Sequence, residues 1–321
     1  MAKGTASRIL NGDGTFASRP ETRERVLAAA AELGYRPHPV ARALARSSAH
    51  VIVLLAPTLA NPAFAPLVRA AQRRAQQLGC VLLTSEDPDD QLADEAFAHL
   101  VEEGRIDGLI IASARPDHQV VELLETSRLP HVFVYREVAK SHNNVHLDIR
   151  KPAALAADYL LSLGHRRLGH VGGPEGNRLW TAHSDAFVRT AEGGRGSAAV
   201  ERAGFSEADG LEALHRLLKE DPRITAVYTS SLLQAAGVLA ALRELEEVVP
   251  RDISVLAYDE LPLAAYLEPP VSTVAVPIER LGTAAVDAMM SRLSGAKPRN
   301  LMVTCPPRIV QRASTAPPSP V

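Results

Sequence analysis

The sequence predicts an α/β protein in which two Rossmann-like lobes follow a short all-α segment. Apolar runs typical of buried strands alternate with helical patterns such as residues 64–78 and 91–103. A first series of these runs lies at residues 51–56, 80–84, 108–112 and 131–135, and a second lies at 168–172, 226–229 and 253–257. Strand–helix alternation favours parallel sheets with right-handed crossovers, so the two series predict two lobes.

Length and composition agree with a small N-terminal module on a two-lobed body. The chain has 321 residues, of which 46% are hydrophobic, and is long enough for two cores. Cys80 and Cys305 are far apart and lack metal-ligand spacing, which favours a reducing cytoplasm. The sequence shows neither a secretory signal nor the roughly 20-residue apolar run that spans a bilayer, so we expect no membrane partner. Pro-rich residues 313–321 are predicted to be a disordered tail.

Residues 1–46 are basic, whereas the rest of the chain is acidic. They hold eight Lys and Arg against four Asp and Glu, a net charge of +4; the whole chain has −2, which leaves −6 for the remainder. This asymmetry is typical of a module that faces phosphates, although a solvated charged helix is the alternative. Ser18 and Glu21 have the spacing of a capping box, and Gly34 is placed to end a helix. One apolar stripe is predicted from Val26, Leu27, Ala30 and Leu33.

Three N-terminal segments resemble, in order, parts of the helix-turn-helix headpiece of lactose-repressor-type (LacI/GalR) transcription regulators. Residues 1–12 match the recognition helix, residues 22–37 the third helix and residues 40–46 the hinge helix. The resemblance continues through the body, at residues 61–64 (NPAF), 105–111 (RIDGLII), 163–167 (LGHRR), 249–255 (VPRDISV) and 312–315 (RAST). It implies a body of the periplasmic-binding-protein type, in which the chain crosses between lobes near Arg150, Val276 and Val303.

These features divide the chain as follows. Residues 1–36 form a partial headpiece, residues 37–49 the hinge helix and linker, residues 50–312 the two-lobed effector-binding and dimerisation domain, and residues 313–321 the tail. The N-lobe takes about residues 50–150 plus 276–303, and the C-lobe about 151–275 plus 304–312.

The first helix of the family's headpiece has no counterpart in this sequence, because Met1 aligns with the start of the second. Two explanations stay open: a start codon assigned too far downstream, or a truncated chain that binds DNA poorly. Helices shorter than about 12–15 residues are marginal without tertiary support, so residues 1–10 are expected to fray.

The resemblance also implies which residues contact DNA. Lys3, Gly4 and Arg8 would face base edges, and Arg8 can donate two hydrogen bonds to a guanine. Phosphate contacts, which set register without reading sequence, are expected from Thr5, Ser7 and Asn11. Leu44 would be a minor-groove wedge that kinks the duplex; its alternative role is ordinary packing on an amphipathic helix.

A second group of candidate residues would bind a small-molecule effector in the cleft at the carboxyl ends of the strands. The resemblance assigns a stacking ring to Phe64, with Asn61 on the same loop, and a hydrogen-bond acceptor to Asp259, which could also be a turn residue. The sequence departs from the family where His183 replaces an arginine, Ala186 a glycine, Ser231 an asparagine and Leu232 an aspartate. A neutral imidazole lacks the two-pronged donor of a guanidinium. The pocket is therefore either retuned to a less polar ligand or has lost its response.

We predict a cytoplasmic, sequence-specific DNA-binding transcription regulator, a repressor that binds a near-palindromic operator as a homodimer, with helix 64–78 in the dimer interface. The effector is expected to be a small molecule, and a sugar-like compound is one candidate. His165 and His170 are read as structural residues and not metal ligands, and loop 172–176 lacks the G-x-G-x-x-G of a cofactor site. We therefore expect no enzyme, metal or cofactor. The alternative is a cytoplasmic ligand-sensing or solute-binding protein of the same fold with impaired or no DNA binding.

Overall fold

The computed structural model describes residues 3–10, 16, 18–34, 50–56, 61–86, 105–112, 124, 129–135, 138, 141–304 and 306–319. Two short helices precede the body, α1 (Lys3–Leu10) and α2 (Pro20–Glu32). The body contains two six-stranded sheets, each covered by helices.

The first lobe is built on a sheet whose paired strands all run parallel. Its strands in chain order are β1 (Val51–Ala56), β2 (Val81–Glu86), β3 (Gly108–Ile111), β4 (His131–Val134), β5 (Asn144–His146) and β11 (Leu301–Met302). They are arranged in the order β11-β5-β4-β3-β1-β2. A 3-10 turn at Pro62–Phe64 leads into helix α3 (Ala65–Gln77), which packs against helix α8 (Glu279–Leu293).

The second lobe has a sheet of the same size with a single antiparallel edge strand. It comprises β6 (Arg167–Gly172), β7 (Ser197–Arg202), β8 (Ala226–Thr229), β9 (Ser254–Tyr258), β10 (Ser272–Ala275) and β12 (Arg308–Val310), in the order β12-β10-β9-β8-β6-β7. Helices α4 (Arg150–Ser162) and α5 (Arg178–Gly193) pack together over one face, and α6 (Glu207–Glu220) and α7 (Leu232–Glu244) over the other.

The chain passes between the two sheets three times. It leaves the first sheet after β5, returns after β10 when α8 packs on β3 and β4, and leaves again between β11 and β12. The carboxyl ends of the central parallel strands of both sheets therefore face the region where the lobes meet. The two-lobed α/β architecture expected from the alternating pattern is confirmed.

The C-terminal segment is ordered through Ser319, so the predicted disordered tail is wrong for residues 313–319; residues 320 and 321 lie outside the described part. The Ser314 hydroxyl donates to the Val255 carbonyl (2.5 Å) and accepts from the Ser272 amide (2.8 Å). The Ala316 carbonyl lies 2.9 Å from Nε2 of His165. Composition missed this order because the segment is held by its backbone and small hydroxyls, not by apolar bulk.

Helices α1 and α2 contact each other and bury Ile9 and Val26 between them. Helix α2 thus supplies tertiary support to Lys3–Leu10 that an isolated short helix lacks, and the expectation that residues 1–10 fray stays a prediction. Leu27 and Leu33 remain exposed, so only part of the predicted apolar stripe is covered.

The start of α2 also differs from the prediction. The N-cap residue is Arg19, which makes no side-chain cap, and Pro20 occupies the first turn. Proline has a φ suited to this position and no N–H to satisfy, so the Ser18–Glu21 capping box does not form. Gly34 has φ +59°, as a helix-ending glycine should. None of the described helices is long and apolar enough to cross a membrane.

Candidate functional site

Residues that follow strand ends in both lobes meet where the lobes face each other. In the first lobe, the ring of Phe64 makes an edge contact with that of Tyr135, which directly follows β4, at 6.1 Å between centroids. Tyr135 also lies near Tyr258, the last residue of β9 in the second lobe, and adds to the causes that raise the pKa of that phenol. Aromatic side chains thus connect the two lobes at this point.

Several aromatic side chains pack together mostly on one face of the second sheet, and we call this group the aromatic cluster. Tyr228 of β8 is in register with His170 of β6, and side chains paired in this way share a face. The His170 and Tyr228 rings stack at 5.1 Å, and His183 of α5 stacks on Tyr228 at 5.5 Å. Trp180, one turn earlier in α5, meets the edge of Tyr258 at 5.7 Å and packs on Phe205 at 5.0 Å.

A glycine makes the approach of Trp180 possible. A Cβ atom on Gly173 would lie 2.6 Å from Cγ and 2.7 Å from Cβ of Trp180, closer than carbon atoms can pack. Asn177 accepts backbone N–H bonds from Leu179 and Trp180 and so caps the start of α5. The glycine-rich loop 172–176 therefore serves the packing of the indole beside the cleft.

His183, an expected ligand residue, lies within the cluster and is fully buried. Its Nε2 is 3.1 Å from the Tyr228 hydroxyl, whereas Nδ1 has no hydrogen-bond partner among the described residues. Burial holds the pKa of His183 well below its usual value, and the charges of His170 and Arg202 lower it further. The imidazole is therefore neutral at physiological pH.

Asp259 directly follows β9 and adopts a left-handed backbone, with φ +78°. Burial raises the pKa of its carboxyl to about 7. The pKa values of Tyr228 and Tyr258 are raised well above their usual range, first by burial and then by neighbouring groups that include Asp259. The site thus combines one carboxyl group with two neutral phenols.

Asn61 and Ser231 are engaged in local structure. Oδ1 of Asn61 accepts from the Ala63 amide at 2.9 Å and caps the 3-10 turn before α3. Ser231 caps α7 by accepting from the Gln234 amide at 3.1 Å, and it donates to the Phe205 carbonyl at 3.3 Å. Both come after a strand in the chain, Asn61 after β1 and Ser231 after β8, but a ligand would have to share these atoms.

Sequence reasoning missed Tyr135, Trp180, Phe205 and Tyr258. Their rarity was a usable signal, because only 4% of the chain is aromatic and it has a single tryptophan. What the sequence did not show was that a strand end, a helix and a loop bring these rings together.

Part of the expected DNA-binding set lies on α1. Gly4 and Arg8 are exposed and Thr5 is half-buried, and the Arg8 guanidinium lies 5.3 Å from the ring centroid of Phe16. Lys3 and Ser7 are helical, but their side chains lie outside the described part, as do Asn11, Leu44 and most of the hinge.

The candidate metal histidines both have other partners. His165 lies 2.9 Å from the Thr225 hydroxyl through Nδ1 and contacts the Ala316 carbonyl through Nε2. His170 contacts the Tyr228 carbonyl (3.0 Å) and the Ser184 hydroxyl (3.1 Å). Within the part of the chain that the structure describes, no group of three or more His, Cys, Asp and Glu could hold a metal ion.

Comparison with known proteins gives consistent relatives for most of the chain. Residues 157–315 match the family described as a periplasmic binding protein-like domain. The chain is 31% identical to the HTH-type transcriptional regulator MalR of Streptomyces coelicolor, over 98% of this chain and 94% of that protein. The lac repressor dimer bound to operator and the anti-inducer ONPF is 26% identical, with a TM-score of 0.83 over 98% of this chain and 95% of that chain. A LacI family transcriptional regulator from Mycobacterium smegmatis is 26% identical, with a TM-score of 0.77 over 84% and 100% of the two chains.

Proposed function

Because the chain belongs to the LacI family of transcriptional regulators, we propose that it is a cytoplasmic repressor that binds an operator under the control of a small molecule held between its lobes. The observation that carries this proposal is the match, over 98% of the chain, to a repressor dimer described as bound to operator. The basic N-terminal segment and the polar and aromatic groups between the lobes support the two halves of the function.

The DNA-binding half of the proposal rests on α1. Arg8 is exposed, and its guanidinium lies over the ring of Phe16, which limits its conformations before DNA binds. We propose that Lys3, Gly4 and Arg8 face bases. Thr5, Ser7 and Asn11 would contact phosphates, and Leu44 of the hinge would enter the minor groove.

The ligand-binding half rests on the residues at the strand ends. Asp259 would accept a hydrogen bond from the ligand, and Phe64 would offer it a ring to stack on. His183 is buried, and it would contact the ligand through Nδ1, which has no hydrogen-bond partner among the described residues. Asn61 and Ser231 would contribute if the ligand displaces part of their local hydrogen bonding.

We propose that the protein is a homodimer, because a repressor with two-fold symmetry can place one headpiece on each half-site of a near-palindromic operator. The exposed face of α3 is polar, but exposed apolar side chains adjoin it on edge strand β2. Val81 and Leu83 there are 55% and 51% exposed, and Leu78 at the end of α3 is 37% exposed. We propose this patch, together with α3, as part of the subunit interface.

In vitro selection from random duplex DNA tests the proposed function. The protein should enrich a near-palindromic motif, and the Arg8→Ala variant should lose preference at a guanine position of each half-site. Arg25→Ala, which removes an exposed arginine from α2, is the matched control and should enrich the same motif. If no motif is enriched, the chain acts instead as a ligand-sensing protein of this fold without operator binding.

A further inference from the structure

We propose that the small molecule bound between the lobes is a cation, with an organic ammonium or guanidinium group that lies beside Asp259 and against the aromatic rings. This rests on the proposed ligand site and adds the chemical class of the ligand. Three observations support it: the rings, a carboxylate that has no ion-pair partner among the described residues, and the small amount of positive charge that the described side chains near it supply.

Aromatic rings from both lobes lie near Tyr258, the residue directly before Asp259. The first lobe supplies Phe64 and Tyr135, in edge contact at 6.1 Å. The second supplies Trp180, which contacts Tyr258 at 5.7 Å and Phe205 at 5.0 Å. The face of an aromatic ring attracts a cation within about 6 Å of its centroid, most strongly where water is excluded. A site of this composition favours a positive group over a neutral one.

Asp259 and Glu260, the two carboxylates directly after β9, differ in their partners. Glu260 forms a two-pronged ion pair with Arg312, at 3.0 and 2.5 Å, and accepts from the Thr273 hydroxyl. Asp259 makes no ion pair with any described residue, and burial is the one cause that shifts its pKa. A partly buried carboxylate without a partner loses part of its hydration without compensation, so a cationic ligand would provide Asp259 with the compensation that Arg312 provides to Glu260.

The described side chains around Asp259 supply little positive charge. Burial raises the pKa of Tyr228 and Tyr258 and lowers that of His183, so all three side chains are neutral. The pKa of His170, lowered by burial, is about 4. The Arg202 guanidinium donates to the Ser184 hydroxyl (3.0 Å) and the Trp180 carbonyl (3.3 Å). A cation at Asp259 would therefore meet a carboxylate without strong competition from fixed positive charge.

Pairs of ligands with the same shape and different charge test the proposal. We would titrate the protein with choline and 3,3-dimethylbutan-1-ol, arginine and citrulline, and benzylamine and benzyl alcohol. Trp180 is the only tryptophan, so its fluorescence reports on the cleft, and calorimetry gives the affinity. At least one cation should bind saturably at millimolar concentration or below, at least tenfold more tightly than its neutral counterpart.

The affinity of that cation should depend on pH in a defined direction. Because Asp259 has a pKa of about 7 without ligand, it is mostly ionised at pH 8 and mostly protonated at pH 6. Binding that requires the carboxylate weakens in proportion to its ionised fraction, so the affinity should fall about tenfold between pH 8 and pH 6. The buried histidines do not change charge in this range, and the Glu260 carboxylate, paired with Arg312, stays ionised.

Two variants, each with a matched control, locate the effect. Asp259→Asn should abolish the preference for the cation and its pH dependence, whereas Asp185→Asn, an exposed carboxylate on α5, should change neither. Tyr135→Leu should weaken cation binding, whereas Tyr266→Leu, at an 83% exposed position, should not. A thermal melt of each variant would confirm that it is folded.

The proposal is overturned if no cation in the set binds, if the neutral counterparts bind equally well, or if Asp259→Asn keeps the preference. Cellobiose and adenosine, added as neutral polar ligands, separate this failure from a wider one. If either binds and changes Trp180 fluorescence, and Asp259→Asn removes the effect, the ligand site stands and only its charge class is wrong. If neither class of ligand reaches Trp180, the proposed ligand site between the lobes fails as well.

Discussion

Gly173 is the residue on which the position of Trp180 most directly depends. Gly173→Ala should destabilise the protein by about 1–3 kcal/mol, because overpacking forces side chains or backbone to shift. Urea unfolding would measure the loss, and the Trp180 emission maximum should move towards the red. Gly193→Ala is the matched control, since a Cβ there meets nothing within 4 Å and alanine suits a helix better than glycine. Equal stability of Gly173→Ala and wild type would contradict the packing described here.

The sequence indicates where a side chain lies most readily when that side chain comes after a strand, and less readily where tertiary contacts decide its position. Phe64 and Asp259 lie beside the aromatic cluster because both come soon after the carboxyl end of a parallel strand, which a strand pattern reveals. Trp180 and Tyr258 were missed, since one lies on a helix and the other reads as the end of an apolar run. The roles of these residues in ligand binding stay predictions.

The C-terminal segment is ordered, although its composition predicts disorder. Ser314→Ala should cost about 1–3 kcal/mol, because the buried Ser272 amide would lose its partner along with the hydrogen bond to Val255. Ser319→Ala, which removes an exposed hydrogen bond to the Arg251 carbonyl, should change stability by less than about 0.5 kcal/mol. Chemical denaturation of both variants would check this. A Ser314→Ala protein as stable as the control would mean that the segment adds little to the second lobe.

Regular elements were predicted well where apolar runs are continuous. Strand β8 occupies residues 226–229 as expected, and β1 residues 51–56, because strands buried on both faces read as short unbroken apolar runs. Helix ends were predicted less well. At the start of α2 two signals compete, Ser18 for a capping box and Pro20 for the first turn, and the structure follows the proline.

At the scale of the whole molecule, the patch on β2 and α3 predicts how subunits associate. Leu83→Glu should convert the dimer to a monomer, because a charge in an apolar interface loses its hydration without a partner. Leu263→Glu, at a 44% exposed position in the second lobe, should leave the dimer intact. Sedimentation velocity would distinguish the two, and a dimeric Leu83→Glu protein would show that this patch lies outside the interface.

The two-lobed architecture could be predicted from the sequence because few folds are compatible with strand–helix alternation. Predicting the function required, in addition, that several motifs occur in the order typical of the family. The most direct test of the central claim is the salt dependence of binding to the selected motif and to a scrambled duplex, measured by fluorescence anisotropy. An operator-binding repressor should prefer the motif strongly, and log K should fall linearly with log[KCl], by about 0.9 per phosphate contact. Equal affinity for both duplexes, or binding indifferent to salt, would contradict the assignment of this chain as a DNA-binding regulator.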